Sequence, residues 1–227
     1  VTGGTLLQLL MPAAMFGMFF YLSIYLQQIL GYSPTMTGAA NLPFTATIIL
    51  VAAVLSKKVA KLNTKAILVI APLFVAAGLL YFARLPVDAN YWTDILPGVI
   101  MMAAGMAAVF VTGTLITTAG ASHEESGLIS GLINAGGQVG GAIGLAVLTV
   151  VSVAATKTKL VETQGDPARF QEALVFGFHR GFMVAALFAL AGTVVALFVL
   201  KRHRANQQDL DQEAETEAEA MPAIPGV

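Results

Sequence analysis

Gly127-Leu-Ile-Ser-Gly-Leu-Ile-Asn-Ala-Gly-Gly-Gln-Val-Gly-Gly-Ala-Ile-Gly-Leu-Ala-Val-Leu-Thr149 decides the fold class of this chain. The run carries no charge and is long enough to cross a bilayer. Gly136, Gly140 and Gly144 recur at every fourth position, and Gly137 and Gly141 repeat the interval. On a helix that spacing lays small residues along one face, where a neighbouring backbone can approach closely. Gly127, Gly131, Asn134, Gln138 and Gly141 fall on roughly the opposite face. The result is a helix with a bare packing side and a side that carries two amides. In water each glycine would weaken such a helix by about 1 kcal/mol relative to Ala. In hydrocarbon an unpaired backbone group costs more than the helix does, so the helix holds. The stretch reads as a buried helix of a membrane bundle.

Composition agrees. Of 227 residues, 57% are hydrophobic and only 11% charged, with a mean hydropathy of +0.79; soluble domains carry about 25% charged residues. The net charge of −1 hides strong segregation of charge into a few loops and the C-terminal tail. With no cysteine, disulfides and thiolate metal sites are excluded. The first thirty residues lack a basic opening and their apolar run is too long for a signal peptide. Because the chain opens on Val1 shortly before a spanning run, the natural protein is expected to continue upstream.

Working outward, six apolar runs have the length that a ~30 Å hydrocarbon core requires: residues 5–30, 36–55, 66–83, 93–118, 127–155 and 174–200. The expected fold is therefore an all-α membrane protein with a six-helix bundle over residues 1–204. Residues 205–227, acidic and of low complexity, are expected to form a disordered tail, and residues 156–173 a surface loop. Lys57, Lys58, Lys61 and Lys65 crowd one short connection. This reads as a positive-inside loop, with too little basic charge for a nucleic-acid or lipid-headgroup site. Counted over alternate connections, Lys and Arg favour that side seven to five, which places both chain ends in the cytoplasm.

No Asp or Glu lies at the midplane of a run; Asp94 comes nearest to entering one. Intramembrane carboxylates are the usual proton relays, so any proton-coupling group is expected upstream or at an edge, with Asp94 and His179 as the candidates here. His123 beside Glu124 and Glu125 reads as a solvated helix entry, with Ser122 and Glu125 spaced as a capping box, and not as a metal site. Paired catalytic carboxylates, HExxH, a phosphate-binding loop and a dinucleotide fingerprint are all missing from the sequence. An enzyme is not expected, nor a cofactor or metal.

The uncharged polar residues within the runs are the remaining signal. Gln8, Gln27, Gln28, Asn41, Asn134 and Gln138, with several Thr, either join helices by hydrogen bonds or face a mildly polar cavity. Met101, Met102, Met106 and Phe110 would give such a cavity adaptable apolar walls. Prolines and glycines in the runs permit bending between alternate states.

Phe20-Tyr-Leu-Ser-Ile-Tyr-Leu-Gln-Gln-Ile-Leu-Gly-Tyr-Ser-Pro-Thr-Met-Thr-Gly-Ala-Ala-Asn-Leu-Pro43 resembles the helix–loop–helix that opens the C-terminal half of major facilitator superfamily transporters. It is most similar to the fourteen-helix drug:proton antiporters of the EmrB/QacA type, and the glycine run resembles the penultimate helix of the same group. The resemblance spans residues 5–200. It implies a C-terminal six-helix half that exports apolar or cationic drugs in exchange for protons by alternating access, in the cell membrane, with an N-terminal half as partner. Residues 56–65 are a degenerate form of that family's loop between these helices, and the family's proton-linked acids are expected in the N-terminal half. The candidate cavity residues are Gln8, Tyr21, Gln27, Asn41, Met106, Asn134 and Gln138, and the candidate packing residues Gly136, Gly140 and Gly144. Two alternatives stay open: a transporter of one defined metabolite on the same fold, and a non-transporting membrane protein that associates through its glycine face.

Overall fold

The computed structural model describes the backbone of residues 2–58, 64–118, 125–164 and 166–220. Among these the chain is entirely helical. The helices are α1 (Thr2–Ile24), α2 (Pro34–Ala40), α3 (Leu42–Lys58), α4 (Thr64–Phe82), α5 (Leu96–Thr118), α6 (Glu125–Glu162) and α7 (Phe170–Ala220). One turn of π-helix, Tyr25–Ile29, closes α1, and another, Tyr91–Ile95, leads into α5. Helix α1 lies along α6 and α7, α4 along α5 and α7, and α3 rests on α5.

Among the described residues, five helical stretches are long and apolar enough to cross a membrane: Leu10–Ile29, Pro34–Lys58, Tyr91–Thr114, Asn134–Glu162 and Pro167–Phe198. The third of the six expected spans is a shorter apolar helix, Ala66–Phe82. Its helix stops where the chain turns at Ala83–Leu85 before Pro86, whose ring cannot enter an α-helix. Large apolar side chains point outward all round the bundle, among them Phe110 at 75% exposure and Val150 at 69%. A surface that apolar calls for lipid around it, and the chain is an integral membrane protein.

Local chemistry sets most boundaries. Gly31 takes φ of +70°, a left-handed conformation that reverses the chain after α1. Ser33 caps α2, its hydroxyl accepting from Met36 N–H at 3.2 Å, and Pro34 fills the first helical position. The expected second span is broken at Asn41, since Pro43 has no N–H to give to the carbonyl of Ala39. At the start of α5, Asn90 Oδ1 accepts from Trp92 N–H at 2.9 Å while Asp94 Oδ2 accepts from Asn90 N–H at 2.7 Å.

Two expected irregular segments are helical. Most of the loop expected over residues 156–173 belongs to α6 and α7: Thr156 and Thr158 turn their hydroxyls back onto the carbonyls four residues earlier, and Lys159 pairs with Glu162 at 2.8 Å. Only Thr163–Asp166 and the short 3-10 turn Pro167–Arg169 separate the two helices. The backbone of α7 continues to Ala220, through an acidic run expected to be disordered. That run is rich in Ala, Glu and Gln, all good helix formers, and has no Gly or Pro. Residues 221–227 and the His123–Glu124 pair lie outside the described residues.

Helices meet closely where glycine removes the side chain. A Cβ at Gly144 would stand 2.2 Å from Ala13 Cβ and 2.8 Å from its Cα. On α5, a Cβ at Gly105 would meet the carbonyl oxygen of Ala71 at 2.6 Å, and on α7 one at Gly177 would meet Thr156 Oγ1 at 2.0 Å. Gly140 is buried, whereas a Cβ at Gly136 would meet nothing within 4 Å. Gly141, expected on the face away from packing, also touches α1: a Cβ there would lie 2.3 Å from the Phe16 ring. Helix α1 therefore sits over the seam between the two stripes of α6 and not on one of them.

Gly144→Ala should destabilise the protein by about 1–3 kcal/mol through overpacking against Ala13, while Gly136→Ala should leave it unchanged or slightly more stable. Thermal unfolding of the two variants in one detergent checks the contrast. A second expectation concerns Tyr25, which is fully buried and donates its hydroxyl proton to the carbonyl of Pro86. Tyr25→Phe leaves that carbonyl unpaired at a cost of about 1–3 kcal/mol. Amide exchange across residues 83–90 should rise in this variant and stay low elsewhere.

Candidate functional site

A groove follows α1 on the side that its neighbours leave open. It has a volume of about 410 Å³ and is lined by Phe16, Phe19, Phe20, Ser23, Ile24, Gln27 and Gln28, with Leu145 of α6 opposite. Phe16, Phe20, Ser23 and Gln27 stand at intervals of four, three and four, so one stripe of the helix carries them all. The rings are partly exposed, Phe20 at 41%, and both amides are exposed. The groove thus offers aromatic faces along its length and two amide side chains at one end.

Helix α6 extends this face. Counting back from Leu145, Gly141, Gln138 and Asn134 fall on the same stripe, and both amides are exposed. The Phe16 ring meets this stripe at Gly141. Of the seven candidate cavity residues, Gln27, Asn134 and Gln138 are exposed on α1 and α6, but Ala13 stands level with Gly144 and Gly17 with Leu148, so Gln27 lies toward one end of this helix pair and Asn134 and Gln138 toward the other.

The others lie elsewhere. Gln8 is on α1, with its side chain outside the described residues. Tyr21 is only 2% exposed and packs against Phe178 and Phe182 of α7, with ring centroids 5.7 and 5.9 Å away. Its hydroxyl is directed toward Thr149 and Ser152 of α6 and makes no hydrogen bond of ordinary geometry. Asn41 ends α2, its Nδ2 donating to Thr37 O at 2.8 Å while its buried Oδ1 has no partner. Met106 packs half-buried against the core.

The two edge candidates for proton coupling hold backbone in place. Asp94 receives the Asn90 N–H described above, and His179 Nε2–H donates to the carbonyl of Leu85 at 2.8 Å. Among the described residues no three His, Asp or Glu side chains converge as a metal site. Phe16, Phe19 and Phe20 were missed from the sequence because each looks like ordinary lipid-facing apolar surface. The signal available was their spacing relative to Ser23 and Gln27.

The comparison with known proteins points one way. Over 216 residues the chain is 34% identical to the puromycin resistance protein pur8 of Streptomyces alboniger, covering 92% of this chain and 42% of that protein. It is 32% identical over 151 residues to the tetracenomycin C resistance and export protein of Streptomyces glaucescens, covering 66% of this chain and 28% of that one. It is also 28% identical over 193 residues to the cephamycin export protein CmcT of Amycolatopsis lactamdurans, covering 85% and 37%. The chain spans well under half the length of these curated relatives. Residues 4–145 match the Major Facilitator Superfamily, more than half of the sequence, and the chain belongs to that family.

Proposed function

We propose that this chain is the C-terminal, six-helix half of a proton-coupled drug exporter of the fourteen-helix type, working by alternating access. The observation that supports this reading best is the aromatic and amide-bearing groove along α1, bordered by Leu145 of α6. It is uncharged, open, and placed where a second bundle can close over it. The relatives named as resistance or export proteins supply the direction of transport, and their greater length leaves room for the other half. Helices α3 and α6 are the least buried of the long apolar helices, and they are the elements we assign to contact with the N-terminal half. In this reading Ala66–Phe82 completes the set of six spans, the C-terminus is cytoplasmic, and the membrane is the cell membrane.

In this groove a ligand would meet ring faces of Phe16, Phe19 and Phe20 and the amides of Gln27 and Gln28. Rings attract cations by about 0.5–2 kcal/mol and accept neutral aromatic ligands as well. Such a face suits apolar or cationic drugs of varied shape. The coupling proton is assigned to the N-terminal half, because Asp94 and His179 already serve as backbone clamps. The reading as a glycine-associating protein loses its basis at Gly144, which is occupied by α1 of the same chain.

Cells expressing this chain alone should not expel a cationic dye. Co-expression of an N-terminal six-helix half should restore efflux, and a protonophore should abolish it. Protonophore-sensitive efflux from the chain alone would overturn the half-transporter reading. In the restored system Gln27→Ala should raise the half-saturating dye concentration about fivefold, the effect of one lost hydrogen bond. Gln164→Ala, outside this face, should not change it.

A further inference from the structure

Both amides of the α1 groove stand on the π-helical turn that closes that helix, Tyr25–Ile29. In an α-helix adjacent residues point about 100° apart, so only one of Gln27 and Gln28 would stand on the stripe of Phe20 and Ser23. This turn holds one more residue, closed by Leu30 N–H donating to Tyr25 O at 3.2 Å. The wider turn narrows the angle, and both glutamines line the groove. Insertions of this kind recur at functional sites.

The turn is fixed from behind. Tyr25 and Leu26 are fully buried and Ile29 nearly so, and the Tyr25 hydroxyl donates to the Pro86 carbonyl. Tyr32 N–H donates to Leu26 O at 2.9 Å, tying the next segment to the same turn. Gln27 and Gln28 remain as its exposed side chains, and neither is hydrogen-bonded to a described residue. Each offers one carbonyl oxygen and two N–H donors. The neighbouring rings are held as well: Phe19 packs edge-on against Phe44 with centroids 4.9 Å apart, and Phe20 against Tyr21 at 5.4 Å. Phe20 and Gln27 are about 10 Å apart along the helix, which suits a molecule of two linked rings.

We propose that the π-helical turn makes Gln27 and Gln28 a paired reader of uncharged hydrogen-bonding groups, so that the groove ranks aromatic ligands with a carboxamide edge above hydrocarbons of the same shape. The rings take the flat body of the ligand, and the two amides take the donor and acceptor at its end. No charged side chain lines the groove, so a ligand's polar end is read there by hydrogen bonds and not by ion pairing. Exposed glutamines at a helix end need no explanation where water alone meets them. Here the same turn sets both beside immobilised ring faces. The inference deepens the drug-exporter reading and rests on it for the use of the groove, but the binding preference stands on the geometry of this turn.

The test is equilibrium dialysis of two radiolabelled isosteres, benzanilide and trans-stilbene, against the full chain in lipid nanodiscs. Empty discs correct for partition of each compound into lipid. Two hydrogen bonds at about fivefold each predict that benzanilide is held about 30-fold more tightly than stilbene. Gln28→Leu should lower benzanilide affinity about fivefold, and Gln27→Leu combined with Gln28→Leu should bring the two compounds near parity. Stilbene affinity should stay unchanged in these variants, whereas a merely structural role for the glutamines would lower both affinities together. Phe20→Ala should weaken both compounds alike. Equal affinities in the unaltered chain, no binding of either compound, or a preference that survives in the double variant would each overturn the proposal. A preference that is present while co-expressed halves expel no dye would uphold it and count against the transport reading alone.

Discussion

Close approach of helix backbones at glycine is the contact on which the rest of this bundle depends. Between helices in lipid there is little hydrophobic driving force, because the tails are as apolar as the side chains they would replace. What remains is van der Waals contact, which decays within a fraction of an ångström of ideal separation. Gly144 on Ala13, Gly105 on the Ala71 carbonyl and Gly177 on Thr156 put three pairs of helices at a distance that no larger residue permits. These contacts join α1 to α6, α5 to α4 and α6 to α7, and the aromatic cluster of Tyr21, Phe82 and Phe182 fills the space they enclose. The groove lined by Phe16, Phe20 and Gln27 follows α1 on the side that these contacts leave open.

A different chemistry fixes the end of the bundle where α1 stops and α5 starts. Four side chains there donate to backbone carbonyls of other segments: Tyr25 to Pro86, Tyr91 to Ala40, Tyr81 to Thr93 and His179 to Leu85. Each satisfies a carbonyl that lies outside regular helix pairing, which matters most where water is scarce. Both π-helical turns lie at this end, so the local backbone departs from α geometry where the clamps are made. The opposite end has the lysine-bearing connection. The bundle is thus held firmly at one end, and its proline-containing helices α1 and α4 run from there toward the other.

The helical class and the membrane environment were legible from runs of apolar residues, because a bilayer imposes length and polarity over some twenty positions at once. Break points were less so. Pro43 marked a disturbance in the second span, yet only the structure shows it as a division at Asn41. The extension of α6 through Lys157–Lys159 was hidden by charge, which excludes a residue from hydrocarbon but not from a helix. Site residues were legible in part for a related reason. Gln27, Asn134 and Gln138 stand out as amides in an apolar sequence, and all three are exposed. Tyr21 and Asn41 stand out equally, and one is buried in an aromatic cluster while the other caps a helix. Sequence polarity identifies side chains that need an explanation; which explanation applies depends on the neighbouring helix, and a pattern within one helix does not contain its neighbour.

The same limit explains the glycine run. Spacing separates Gly136, Gly140 and Gly144 from Gly141 by face, but helices that cross at an angle touch only over a short length. At the crossing, two adjacent stripes meet the partner together, as Gly141 and Gly144 meet Phe16 and Ala13. Two turns before Gly144 the contact has ended, and Gly136 faces open space. The amides Asn134 and Gln138 lie in this uncovered part. A glycine-rich helix can therefore both anchor a bundle and present polar groups from one stripe: the crossing angle divides the work by position along the helix.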